Sequence, residues 1–200
     1  IAPEYSDDIY SDIARYQVQI TAPVTMTLVA SGSCVQQALA GIPISTLRPA
    51  ADGKTATVLV ETATWTCDAA PMRNFVLILG EDLQLANRVV QDVVVNSYFY
   101  PEHAGGGEKA LEIAVDALAV YTDMFGPYPY AELDVVETPN DLGGMEYPSL
   151  VVIEDTLYPS VTRVEWLVAH EVAHQWWFGL VGNDQIDDPW LDEALTQYST

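Results

Sequence analysis

Two histidines four positions apart, His170 and His174, sit inside an almost unbroken apolar segment, and few folds can accommodate that combination. On a helix the spacing stacks both imidazoles on one face, with Cβ atoms about 5–6 Å apart, close enough to share one metal ion. Glu171 lies about a hundred degrees further round the helix, where its carboxylate can reach a water activated by that metal. The window Val161–Phe178 is apolar nearly all round, which predicts a buried helix. Burying a His-Glu-x-x-His set without partners is costly, and a divalent cation removes the cost; the alternative is a pair of core histidines satisfied by hydrogen bonds. Glu193, nineteen positions after His174 in Trp190-Leu191-Asp192-Glu193-Ala194, is a candidate third ligand.

The rest of the chain must supply a core to hold such a helix. Half of its 200 residues are hydrophobic, enough for one large domain or two small ones. No apolar run of about eighteen residues occurs, so no membrane-spanning helix is expected. Ile1–Tyr5 lacks a basic segment followed by an apolar stretch, so no signal peptide is expected there. The formal charge of −22 argues against nucleic acid and anionic membrane surfaces as partners, and fits a solvated acidic surface outside the cell. The sequence sets no oligomeric state. Cys34 and Cys67 form no Cys-x-x-Cys pair; they are either disulfide-bonded, which would place the chain outside the cytosol, or two free buried thiols.

Read in order, the first hundred residues suggest strands. Tyr16, Val18 and Ile20 alternate with Arg15, Gln17, Gln19 and Thr21, the period of a half-buried strand. Further strands are expected over Thr25–Ala30, Ile44–Leu47, Thr55–Val60, Phe75–Leu79 and Val93–Tyr98. Asp52-Gly53 forms a hairpin turn signal, and Phe75–Leu79 reads as a strand covered on both faces. His103-Ala104-Gly105-Gly106-Gly107 reads as a flexible linker, with His103 a loop residue outside the metal site. A helix is predicted over Glu108–Phe125, stopped by Gly126-Pro127. Strands are predicted over Leu133–Glu137 and Leu150–Ile153, flanking the segment 140–148. The histidine helix is capped by Thr162 with Glu165 or by Ser160, and a last helix near Trp190 carries Glu193. The fold class is α+β: a β-rich, sandwich-like part over 1–102, then a second part over 103–200.

Two histidines and one carboxylate leave a fourth position open on zinc, which favours catalysis over a closed structural site. Zinc would polarise a carbonyl and activate water, while Glu171 takes the proton and passes it to a leaving amine. The chemistry is hydrolysis of an amide. Gly143-Gly144-Met145-Glu146-Tyr147 reads as a turn when taken alone, or as a place where a bound peptide approaches the backbone beside the charge of Glu146.

Three segments, Gly143–Glu146, His170–Trp176 and Trp190–Ala194, resemble in order and spacing the aminopeptidase N-type gluzincin family of zinc metallopeptidases. Asn74-Phe75 and Phe125-Gly126-Pro127-Tyr128-Pro129 are similar to stretches at that family's domain junction. The resemblance implies one Zn2+ held by His170, His174 and Glu193, with Glu171 as general base. It implies that Glu146 binds the free α-amino group of a peptide substrate, and that Gly143 and Gly144 hold the peptide backbone. The fold implied for 103–200 is the first part of a thermolysin-like catalytic domain. Two departures touch side-chain specificity: Tyr147 stands where the family commonly has Asn, and Asp192-Glu193-Ala194 where it has Asn-Glu-Gly. The resemblance also implies a fragment, with the family's oxyanion-stabilising tyrosine expected beyond Thr200. The rival readings are a zinc endopeptidase with the same ligands and a non-catalytic module stabilised by zinc.

Overall fold

The computed structural model describes residues 11–37, 44–49, 55–185 and 187–200, with backbone alone for 44–49 and 55–59. Seven strands come first: β1 (Ala14–Pro23), β2 (Met26–Ala30), β3 (Ser33–Gln36), β4 (Ile44–Pro49), β5 (Thr55–Val60), β6 (Thr62–Met72) and β7 (Leu77–Glu81). They form a three-stranded sheet in the order β1-β6-β3 and two antiparallel ribbons, β2-β7 and β4-β5. The expected pairing of β4 with β5 is present, while its Asp52-Gly53 turn lies outside the described residues. Ile20, Ala30 and Cys67 are the buried centre of a small core, with Val18, Leu28, Cys34 and Phe75 packed around it. Cys34 and Cys67 face each other across β3 and β6 and are disulfide-bonded.

A second sheet takes over at β8 (Gln84–Val90) and β9 (Val93–Phe99), continuing with β10 (Glu132–Thr138), β11 (Gly144–Met145) and β12 (Leu150–Glu154). Its order is β11-β12-β10-β9-β8, with β10 parallel to both β9 and β12 and the outer pairs antiparallel. The central strands are covered on both faces, which explains the continuous apolar run of β12 and the unbroken burial of β10 over Leu133–Glu137, two carboxylates included. One face, through Val95, Leu133, Val135, Val151 and Ile153, packs on helices α1 (Ala104–Phe125) and α2 (Val161–Trp177). The opposite face, through Val136, Leu150 and Val152, meets Val29 of β2 and Ile78 of β7. Mixed sheets with segregated helices make the chain α+β, β-rich in its N-terminal part. Strands β8 and β9 precede residue 103, and β9 pairs with both β8 and β10, so the chain on both sides of that position shares one sheet.

Three expectations need correction. Residues 104–107 are the first turn of α1, not a linker. The glycines there serve close packing: a Cβ on Gly106 would lie 2.4 Å from the Tyr158 carbonyl oxygen, and one on Gly107 2.1 Å from the Phe99 ring. His103 is held too, its Nδ1 bonded to the buried carboxylate of Glu137, which also accepts a 2.8 Å bond from Tyr100 N. Next, β7 exposes Leu77 and Leu79 and buries only its other face, because it belongs to a two-stranded ribbon laid on the larger sheet. Finally, α2 is buried all round only over His170–Trp176; in its first half Val161 and Trp166 are exposed.

Candidate metal centre

Helix α2 begins after Ser160, whose backbone carbonyl accepts from Val164 N at 3.1 Å and whose side chain makes no cap bond. Its core face (Val164, Leu167, Val168, Val172, Trp176) rests on α1 and the sheet. Trp176 anchors the C-terminal end: its ring meets Tyr121, Phe125 and Tyr128, and its Nε1 donates to Gly126 O at 3.0 Å. This fixes the rotation of the helix, and with it the direction of His170 and His174. Their Nε2 atoms converge to 3.2 Å. Glu193, the first residue of α3 (Glu193–Ser199), brings its carboxylate to 3.4 Å from His170 Nε2 and 3.7 Å from His174 Nε2.

The glutamates expected to work beside this cluster are also there. Ligand-type atoms of Glu146, Glu171 and His174 lie within 4.8 Å of one another, and all three residues are buried. Gly144 makes room for Glu171: a Cβ there would fall 2.1 Å from Glu171 Oε1 and 2.5 Å from its Cδ. Gly143 has φ +80°, and its N–H and C=O are both taken by Glu154, at 3.1 Å through the side chain and 2.7 Å through the backbone. The glycine pair therefore lines the site at Gly144 and turns the chain at Gly143.

Residues given no role by the sequence hold the parts in place. His174 Nδ1 donates to Asp192 Oδ1 at 2.6 Å, with Thr196 Oγ1 3.2 Å from the same nitrogen. A donor at Nδ1 leaves the lone pair on Nε2, as a metal ligand requires. Gln185 donates to Asp192 Oδ2 at 2.6 Å. Gln175, next to His174, clasps the segment after Glu146, accepting from Ser149 N at 2.8 Å and donating to Tyr147 O at 3.1 Å. His170 is supported differently: its ring stacks on Trp166 at 4.9 Å, and its buried Nδ1 has no hydrogen-bond partner. The adjacency of Asp192 to Glu193 was visible in the sequence; the return of Gln185 to the site by the loop after α2 was not.

Four carboxylates, of Glu146, Glu171, Asp192 and Glu193, surround two imidazoles. Burial pulls the His174 imidazolium down, but the Asp192 bond and the charges of Glu146, Asp192 and Glu171 outweigh it and hold His174 up at about 9. The bond to His170 holds Glu193 below the usual carboxylate range against the opposing effect of burial, with the charges of both histidines helping. Two converging imidazole nitrogens, a flanking carboxylate and a concentration of negative charge suit a divalent cation, which would take the place of the proton on His174, and two His with one Glu is a donor set zinc takes.

Comparison with known proteins gives the class first: the related sequences are peptidases. Residues 109–200 match the peptidase family M1 domain. The chain is 30% identical over 133 residues to Aminopeptidase M1-B of Oryza sativa subsp. japonica, covering 61% of this chain and 15% of that protein. It is 29% identical over 135 residues to the Endoplasmic reticulum aminopeptidase 1 of Homo sapiens, covering 62% of this chain and 14% of that protein. The mouse protein of the same name is 29% identical over 132 residues, 60% of this chain and 14% of its own length. The matched stretch is thus a small part of each relative.

Proposed function

We propose that this chain carries the zinc centre of an aminopeptidase, with His170, His174 and Glu193 as ligands of one Zn2+. The observation that carries this reading is the convergence of three ligand-type side chains from two helices, with Glu171 and Glu146 beside them. When bound, zinc supplies Lewis-acid polarisation of the scissile carbonyl and makes water acidic enough to lose a proton near neutrality. Glu171 accepts that proton on its carboxylate and returns it to the departing amine nitrogen as the C–N bond breaks. Gly144 keeps this carboxylate in place by leaving it room. Glu146 faces the free ammonium group of the substrate, which limits cleavage to the first residue. Gly143 and Gly144 lie along the path of the peptide backbone.

The part over 103–200, whose sheet also includes β8 and β9, is read as the first part of a thermolysin-like catalytic domain. The bonded Cys34–Cys67 pair supports an extracytoplasmic location. No helix among the described residues is long and apolar enough to cross a membrane.

An endopeptidase with the same ligands is the rival reading, and Glu146 beside the metal cluster favours the exopeptidase. The deciding experiment gives the full-length protein matched peptides with free and acetylated N-termini, with and without chelator. Cleavage of the free peptide alone, abolished by chelator and restored by zinc, is expected. Equal cleavage of both peptides would sink the aminopeptidase reading, and indifference to chelator would sink the zinc centre.

A further inference from the structure

The Nε2 atom of Gln185 faces two carboxylates that the proposed chemistry assigns to different tasks. It lies 2.6 Å from Asp192 Oδ2 and 3.4 Å from Glu146 Oε1. Asp192 orients His174, while Glu146 is the proposed amino-group anchor. Gln185, Asp192 and Glu146 are all buried, at 3%, 2% and 5% exposure, so bulk water does little to screen one anion from the other. A side-chain amide has two N–H donors, one for each carboxylate. It is also neutral. A lysine here would satisfy both anions but cancel the charge that attracts a substrate ammonium, and a glutamate would add a third negative charge. Glutamine holds both carboxylates and leaves the field of Glu146 intact.

The loop that delivers Gln185 is anchored from the β-rich part of the chain. The Arg73 guanidinium lies 5.2 Å over the Phe178 ring and donates to Asn183 O at 2.8 Å, and Asn183 Nδ2 donates to Asp188 O at 2.9 Å. Gly182 leaves room for that guanidinium, since a Cβ there would fall 2.4 Å from Arg73 Nη2.

We propose that Gln185 is a positioning residue joining the amino-group subsite to the metal centre: one amide fixes Glu146 for the substrate ammonium and Asp192 for His174. This rests on the zinc aminopeptidase reading above, and goes beyond it by giving two functions a single mechanical support.

The test uses the full-length protein and the variants Gln185→Met, of similar length without donors, and Gln185→Glu, of similar shape without donors and with added charge. Three quantities are measured: zinc retained against a competing chelator, KM and kcat for free and acetylated peptide substrates, and the unfolding midpoint of the metal-free protein. Gln185→Met is expected to weaken zinc retention about tenfold. It is also expected to raise KM for the free-amine substrate roughly three- to tenfold, with a smaller change in kcat, as for loss of one hydrogen bond to a charged anchor. Gln185→Glu is expected to exceed it in both. Zinc retention and KM both within about twofold of the parent would overturn the proposal. So would a change in one with the other untouched, because Gln185 would then serve a single carboxylate. If Gln185→Met lowers the metal-free midpoint, Gln185→Glu decides by the same two criteria. Failure of the underlying reading is separately visible: the unsubstituted protein would then hold no zinc or show no preference for a free amino terminus.

Discussion

The two β-containing regions of this chain are held together by different means. Between β1 and β7 the described residues include a small buried apolar cluster, Ile20, Ala30 and Cys67, and a covalent bridge crosses it. From β8 onward a mixed sheet buries both faces of its central strands and packs two helices on one of them. The metal-ligand cluster stands on the second region and depends on it for geometry, because helix rotation and strand position there are set by close packing. The first region covers the back of the sheet through Val29 and Ile78 and reaches toward the site through Arg73. Chemistry at the cluster should therefore be separable from the stability of the first region, and inseparable from packing in the second.

The largest expected effect tests chemistry without touching either core. Glu171→Gln in the full-length enzyme should keep zinc and the unfolding midpoint while lowering kcat by about 10²–10⁴-fold, the usual worth of a general base. Survival of turnover would remove Glu171 from the mechanism. Trp176→Ala strikes the second region, where it deletes a ring that is 2% exposed and packed on three aromatics. It should cost about 3–5 kcal/mol in denaturant unfolding and weaken zinc retention as well. Unchanged zinc retention would show that helix packing does not set the ligand geometry.

Breaking the bridge with Cys34→Ser and Cys67→Ser should cost roughly 3–4 kcal/mol on the chain-entropy model, given a sequence separation of 33, yet leave zinc retention unchanged. Loss of zinc in that variant would erase the contrast between the two regions. Gly144→Ala should be milder, about 1–3 kcal/mol of crowding absorbed by displacing the Glu171 carboxylate. It should appear as a lower kcat with zinc still bound. A normal kcat would mean that the glutamate reaches its working position by another route.

How legible these regions were follows from where their signals lie. The histidine helix and β12 announce themselves because burial forces continuous apolar sequence, and the four-residue histidine spacing is local. β6 and β8 escaped notice because neither has a continuous apolar run: β6 alternates threonines with Ala63, Trp65 and Cys67, and β8 is an outer strand with one neighbour that exposes Leu85 and Val89. The three glycines of α1 point to flexibility by propensity, and close packing of Gly106 on Tyr158 and of Gly107 on Phe99 overrides it. Within the site, the proposed ligands and base follow from spacing and from the family resemblance. Asp192, Gln185 and Gln175 do not, since hydrogen bonds between distant segments leave no periodic trace.

The smallest expected effect concerns the seam between the two regions. Asp134 on β10 is 3% exposed, and Asn96 Nδ2 donates to it at 2.8 Å and to Glu132 at 2.7 Å. Burial, and then the charge of Glu132, push the Asp134 carboxyl well above its ordinary 3.8, opposed by the bond from Asn96. An acid whose folded-state affinity for its proton exceeds the unfolded one contributes stability that is fully present below the unfolded value. That contribution is lost as pH rises through the folded one. Asp134→Asn keeps the shape and removes the titration, so it should flatten the decline in stability above the carboxylate range. The variant should unfold later than the parent at pH 7 and alike at pH 3, by thermal melts of the metal-free protein at both values. An equal shift at both would assign the effect to packing. Such a result would leave Asp134 without a part in the pH dependence of the seam, where Val29 and Ile78 meet Val136 and Gly32 N donates to Ser149 Oγ at 3.0 Å.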